Sequence, residues 1–177
     1  MKGLIRMTCF KLIDNSEDGR DLSEVVALIN KFLPFAQQRL GFNKPVSIEL
    51  KTNPENGQNI LGKTAYYNPD DSHIAIYTDY RHPKDMLRSI AHELVHHTQN
   101  CRGDFDQGIE TDAGYAQKNS HLRDMEKEAY EKGNICFRDW EDNYKHDLET
   151  NYSQDPMLNE QRNTELNRLL MKKFKLI

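Results

Sequence analysis

The spacing of apolar residues divides the first part of the chain into a helix and a strand. Between Leu22 and Leu33 the apolar positions recur every three or four residues, which is the pattern of an amphipathic helix. Pro34 disturbs that pattern, and Gly41 is expected to end the helix. Residues 46–50 then alternate between apolar and polar, as a half-buried strand does.

Turn-forming residues separate this strand from a predicted hairpin. Residues 53–57 have the composition of a loop. Two further strands, 64–67 and 73–78, flank the turn-forming residues 68–72 and are predicted to pair with each other. The pattern therefore predicts three strands, which form one small sheet.

Helical patterns dominate the rest of the chain. A helix with a broad apolar face is predicted over 82–100, and a shorter helix over roughly 120–133. Between them, residues 101–119 are rich in Gly, Asp, Asn and Gln and are predicted to form a long loop. Residues 139–153 are polar and charged, and a last amphipathic helix is predicted to begin at Asp155.

This order of elements is that of an α+β domain, in which helices cover one face of a three-stranded sheet. A length of 177 residues suits a single domain, 1–177. We expect the core of that domain to span about 22–135. Residues 136–177 would then form a helical C-terminal extension.

The composition argues against several classes of partner. No apolar run approaches the length of a membrane span, so we expect no membrane partner. Lys and Arg number 24 against 28 Asp and Glu, and this net charge of −4 argues against nucleic-acid binding. The three cysteines lie at wide spacing without a metal-binding pattern, so free thiols in the cytoplasm are expected. The oligomeric state is left open.

The helix predicted over 82–100 contains the sequence His92-Glu93-Leu94-Val95-His96, which is the pattern HExxH. Residues four apart share a helix face, so the imidazoles of His92 and His96 can bind one Zn²⁺. Glu93 lies one step round the helix, where it can act as general base on a water at the metal. The alternative is a pair of semi-buried histidines held by hydrogen bonds.

Such a site needs a third protein ligand. Arg102 stands where the HExxHxxGxxH pattern has its third histidine, which excludes that pattern. Asp106 and Asp112 in the loop are candidates, but simple solvation is the usual role of acidic loop residues. Glu126 lies within the apolar stripe of the next predicted helix and is the preferred ligand, because a carboxylate facing the core needs a counter-charge. Glu128, on a more polar face, is the alternative ligand.

The two predicted helices together resemble a known group of enzymes. HELVH followed by a helical Glu126-x-x-Ala129 is similar to the gluzincin zinc metallopeptidases. With Gln99 and Glu128 included, the pattern HELVHxxQ with E-x-E-A is closer still to small predicted metallopeptidases of tailed bacteriophages. The resemblance covers about 60–140. It departs from the clan at Tyr130, where the clan often has an aspartate behind a ligand histidine.

The resemblance implies a zincin-like core and hydrolysis of a polypeptide substrate, with Zn²⁺ as the cofactor and Glu93 as the general base. It also implies that substrate lies along the sheet-edge strand before the HExxH helix, which would be 73–78. The alternative for 73–78 is an ordinary packed strand of the hairpin. Such sites often have a second group that stabilises the transition state, and Tyr115 and His121 are the nearest candidates in sequence.

A second function remains open from the sequence. The metal site could serve structure alone, in a non-enzymatic protein such as a virion or host-interaction component. A phage origin, which the resemblance implies, would place the protein in the host-cell cytoplasm or in the virion.

Overall fold

The computed structural model describes residues 10–16, 21–59, 62–105 and 120–154. Within these ranges the chain has an α+β fold with one four-stranded mixed sheet. The strands are β1 (Phe10–Asn15), β2 (Val46–Lys51), β3 (Ala65–Asn68) and β4 (His73–Tyr77). The helices are α1 (Ser23–Leu40), α2 (Pro54–Gln58), α3 (Pro83–Arg102) and α4 (Ser120–Gln154).

The chain divides into two compact units, Met1–Arg138 and Asp139–Ile177. The first contains the sheet, α1 to α3 and the first part of α4. In the second, the described residues continue α4, where the rings of Trp140 and Tyr144 stack with centroids 5.2 Å apart. The helix predicted from Asp155 lies outside the described residues.

The strands lie in the order β1-β2-β4-β3, with β1, β2 and β4 parallel and β3 antiparallel to β4. One face of the sheet is apolar because buried and half-buried residues alternate along β2. Helix α3 packs against β3, β4 and α1. The core under these helices contains the fully buried side chains of Ile48, Leu50, Ile74 and Ile76.

The sheet corrects two predictions. It has a fourth strand, β1, where three strands were expected, because the short run Phe10-Lys11-Leu12-Ile13 shows no clear alternation and is recognisable only once it pairs with β2. The sheet-edge position that the resemblance implied for 73–78 is wrong: β4 lies between β2 and β3, so the alternative, a packed strand of the hairpin, is confirmed. The edge beside α3 is instead β3.

Helix α3 forms where the apolar pattern predicted it. The side chain of His82 caps its first turn by accepting a hydrogen bond from the backbone N–H of Lys84, and Pro83 occupies the first helical position. Gly103 ends the helix with a φ of +88°, a left-handed conformation that glycine adopts without strain. The HExxH segment therefore lies well inside a rigid helix.

Helix α1 ends at Gly41, as predicted, and it continues through Pro34 because buried residues on both sides of the proline hold the helix together. Two other element predictions from local sequence were wrong. Residues 53–57 were predicted as a loop, but Pro54–Gln58 form the short helix α2, capped by the side chain of Asn53. The helix predicted to stop near Gly133 runs on to Gln154 and includes the whole polar segment 139–153.

Gly133 lies inside α4 for a packing reason. A Cβ atom at this position would lie 3.0 Å from both the Cα and the backbone nitrogen of His92 on α3. A glycine that reads as a helix end in the sequence therefore marks the point where two helices touch.

Cys101 and Cys136 are not disulfide-bonded in the described part of the chain, and Cys9 lies outside it. None of the helices in the described ranges is long and apolar enough to cross a membrane.

Candidate metal centre

Helix α3 presents two imidazoles to the same point. His92 and His96 are one turn apart, and their Nε2 atoms are 3.2 Å apart. His96 is buried and His92 is half-buried. Burial by itself would lower the pKa of His96, but the carboxylates of Glu126 and Glu93 outweigh it, so the pKa is raised.

Helix α4 brings a carboxylate to these imidazoles. The Oε2 atom of Glu126 is 3.4 Å from His92 Nε2, and its Oε1 atom is 3.5 Å from His96 Nε2. Ligands at zinc distances of about 2.0–2.1 Å and tetrahedral angles lie about 3.3 Å apart. The separation of the two imidazole nitrogens is close to that edge length, and each carboxylate oxygen of Glu126 lies near one imidazole. One ligand atom from each of His92, His96 and Glu126 lies within 4.8 Å of the others, so these residues form a group that could hold a metal ion.

The glutamate of the pattern, Glu93, lines the same cleft as the metal group. Its side chain lies among buried residues of α3 and is itself 8 % exposed. Burial raises the pKa of its carboxyl, while His96 and His92 act in the opposite direction. Glu93 is thus a carboxyl group whose proton affinity exceeds that of an ordinary surface glutamate.

Glu128, the alternative ligand, lies elsewhere. Arg102 donates to both of its carboxylate oxygens at 2.9 and 2.8 Å, and Lys132 also pairs with it. The Arg102 guanidinium holds the pKa of this carboxyl far below its usual range. Arg102 also forms an ion pair with Asp104.

Of the two candidates for transition-state stabilisation, His121 lies in the described residues. Its Nε2 atom is 3.1 Å from the backbone carbonyl of Asp104. Tyr115 lies outside the described residues, as do Asp106 and Asp112.

Two residues at the site were not assigned roles from the sequence. The ring of Tyr130 lies edge-to-face against His92, with centroids 4.7 Å apart, and its side chain is 62 % exposed in the cleft. Gln99 is fully buried, and its side-chain oxygen Oε1 lies 2.8 Å from His96 Nδ1. Their spacing gave a signal: Tyr130 follows Glu126 by four residues and Gln99 follows His96 by three, so each shares a helix face with a ligand.

A cleft of about 880 Å³ runs along the metal group. One wall is strand β3 with its flanking residues 62–70, and the opposite wall is formed by side chains of α3 and α4. Phe105, Leu122 and Met125 add an apolar patch to this wall. Two of the metal-group residues, His92 and Glu126, are a fifth to a quarter exposed here, so the centre is open to molecules that enter the cleft.

Strand β3 is fixed to α3 by a buried polar cluster. The hydroxyl of Tyr67 lies 3.0 Å from His97 Nδ1, and the other ring nitrogen of His97 lies 3.0 Å from the carbonyl of Lys44. A carbonyl only accepts, so that nitrogen donates and the Tyr67 hydroxyl donates to Nδ1. Asn100 donates in turn to the Tyr67 oxygen at 2.7 Å.

Comparisons with protein-family models, with curated proteins and with solved structures give no match to this chain. The function must therefore be argued from the site itself.

The close contact at Gly133 predicts a strong effect of substitution. Gly133→Leu is expected to push α4 away from α3, which separates Glu126 from the two histidines and weakens zinc binding by more than about tenfold. Overpacking should also lower stability by about 1–3 kcal/mol. Isothermal titration with zinc and thermal unfolding measure the two effects.

The matched control is Asn134→Leu, at an exposed neighbouring position on the same helix. Wild-type zinc affinity in the Gly133→Leu protein would show that the helix contact does not set the ligand geometry.

Proposed function

We propose that this protein is a zinc-dependent metallopeptidase that hydrolyses peptide bonds in a polypeptide substrate. The observation that carries the proposal is the open cleft, in which two imidazoles and a carboxylate with ligand atoms within 4.8 Å of one another share a lining with the buried carboxyl of Glu93. Structural zinc sites are closed by four protein ligands, whereas catalytic sites keep one position open. Among the described residues, three side chains form the group.

The donor set fits zinc. Two neutral imidazole nitrogens and one carboxylate oxygen form the three-ligand set of catalytic zinc sites. His92, His96 and Glu126 would hold the ion. When bound, Zn²⁺ acts as a Lewis acid, which polarises a substrate carbonyl and lowers the pKa of a water to about 7.

Glu93 supplies the proton transfers that peptide hydrolysis needs. Its carboxylate accepts a proton from the attacking water and then delivers that proton to the leaving amine nitrogen. Burial favours the protonated form after the first transfer, so the carboxyl retains the proton until the amine leaves. The protein thus uses one carboxyl as base and then as acid.

Strand β3 is the support for a polypeptide rather than a small molecule. It pairs only with β4 within the described sheet, so its other edge presents backbone N–H and C=O groups along the cleft wall. An extended peptide can pair with such an edge as an added strand. The Tyr67 cluster and Arg81, which donates to the carbonyl of Thr64, hold this edge in place.

The alternative is a non-enzymatic protein in which the metal serves structure or an interaction. It requires neither an open cleft nor a buried carboxyl beside the metal group, and the described site has both. The two functions predict the same metal content and differ in peptide cleavage, so cleavage is the measurement that separates them.

The first experiment measures metal content and hydrolysis on the same preparation. Elemental analysis is expected to find one zinc ion per chain. The protein should cleave an unfolded polypeptide at neutral pH, lose this activity with a zinc chelator and regain it when zinc is returned. Stoichiometric zinc without cleavage of any member of a broad unstructured peptide library would contradict the peptidase proposal and favour the alternative.

A further inference from the structure

A chain of hydrogen bonds lies behind His96, on the side away from the cleft. Gln99 is at its centre, with Oε1 2.8 Å from His96 Nδ1. Its amide nitrogen donates to the backbone carbonyl of Met125 and to Glu128 Oε2, both at 2.9 Å. The side chain of Gln99 is fully buried, so water does not satisfy these groups instead.

These contacts permit one orientation of the Gln99 amide. The Met125 carbonyl and the Glu128 carboxylate are both acceptors, so the NH₂ group must face them. The reversed amide would place a carbonyl oxygen against two acceptors in a buried setting, which costs free energy. The Gln99 oxygen therefore faces His96.

The orientation of Gln99 in turn sets the tautomer of His96. Because Gln99 Oε1 is an acceptor, Nδ1 of His96 must carry the hydrogen. In a neutral imidazole the lone pair then lies on Nε2. That atom is the one that faces His92 and Glu126, so the ring is ready to bind a metal.

Ion pairs hold Glu128, the last residue in this chain of hydrogen bonds. Arg102 donates to both carboxylate oxygens of Glu128 and is itself held by Asp104. A carboxylate gripped at both oxygens by a planar guanidinium has a fixed orientation. Helix α3, through Gln99 and Arg102, is thereby tied to Glu128 on α4 at the level of the metal group.

We propose that Gln99 and Glu128 are positioning residues, which fix the tautomer and ring orientation of His96 for metal binding. The proposal rests on the metal centre of the proposed function but not on peptidase activity. It also gives a physical reason for a glutamine three residues after the second histidine and a glutamate two residues after the carboxylate ligand. Loss of such a partner lowers metal affinity by about 10–100-fold.

The decisive variant is Gln99→Met in the full chain, because methionine has similar size and offers no amide. Zinc affinity is measured by competition with a chromophoric chelator, and the tautomer by ¹⁵N NMR of the His96 ring in metal-free protein. We expect wild type to show the Nδ1–H form. The variant should show a mixture of both forms and bind zinc about 10–100-fold more weakly.

The control for Gln99→Met is Thr98→Val. It removes a neighbouring hydroxyl that donates to the Leu94 carbonyl, and it should leave zinc affinity unchanged.

The second test variant is Glu128→Met, which removes an acceptor for Gln99 and should weaken zinc binding by about tenfold. Its control is Glu131→Met, on the same helix at an exposed ion pair with Lys127, which should leave zinc binding unchanged.

An unchanged His96 tautomer and wild-type zinc affinity in Gln99→Met would overturn the proposal. If that variant fails to fold, wild-type zinc affinity in Glu128→Met overturns it instead. Neither readout uses a substrate, so an inactive protein with the expected tautomer and affinities would contradict the peptidase proposal alone.

Discussion

Glu93→Gln is expected to lower peptide cleavage by about 10²–10⁴-fold, the contribution of a positioned general base, while zinc stays bound. An amide has the size of the carboxyl but cannot accept the proton of the attacking water. His92, His96 and Glu126 are untouched, so metal content should remain that of wild type. Steady-state cleavage of a fluorogenic peptide and elemental analysis measure the two quantities.

The substitution should not unfold the protein. Burial disfavours the charged form of Glu93, so a neutral amide at this position removes a desolvation cost. Glu131→Gln is the matched control, at an exposed position of α4. Cleavage within threefold of wild type by the Glu93→Gln protein would show that Glu93 is not the general base.

Glu126→Ala is expected to weaken zinc binding by more than about 100-fold, because it removes a ligand rather than the partner of a ligand. The remaining two imidazoles leave the ion with half of its tetrahedral shell to be filled by water. Cleavage should fall in parallel, at zinc concentrations that saturate wild type. Competition with a chromophoric chelator gives the affinity directly.

Asp124→Ala is the control for this variant, since it removes an exposed carboxylate two residues earlier on α4. Wild type and Asp124→Ala should bind zinc most tightly, Glu128→Met more weakly, and Glu126→Ala most weakly. A Glu126→Ala protein with the affinity of the control would refute the ligand set, whatever the activity.

The grouping of His92, His96 and Glu126 was well predicted from local sequence. An α-helix places residues four apart on one face, so HExxH inside an apolar repeat is enough to bring two imidazoles together. The apolar stripe of the next helix likewise favoured Glu126 over Glu128, by the same periodicity. Both inferences need only the geometry of single helices, which short-range hydrogen bonds fix.

Contacts between segments distant in the sequence could not be predicted from local periodicity. The apolar spacing of this helix placed Glu128 on a polar, solvated face. In the fold, Arg102, 26 positions earlier in the sequence, holds Glu128 in an ion pair. The sheet edge was assigned to 73–78 because that strand precedes the HExxH helix in sequence. Strand order depends on which strands pair, and paired residues of β1 and β2 are 36 positions apart in the sequence. These two strands lie on one side of β4, so β3 lies on the other side, at the sheet edge that lines the cleft.

The sequence by itself determined the α+β class, the helix that carries the histidines and the preferred carboxylate ligand, because helical periodicity and donor chemistry are local properties. Only the tertiary structure decided how close the two helices lie and what surrounds the ligands. Gly133 marks that difference: in the sequence it resembles a helix end, and in the fold it lets α4 approach His92 closely enough for Glu126 to join the two imidazoles. Packing between two elements depends on the surfaces of both, so it cannot be predicted from the sequence of either segment alone.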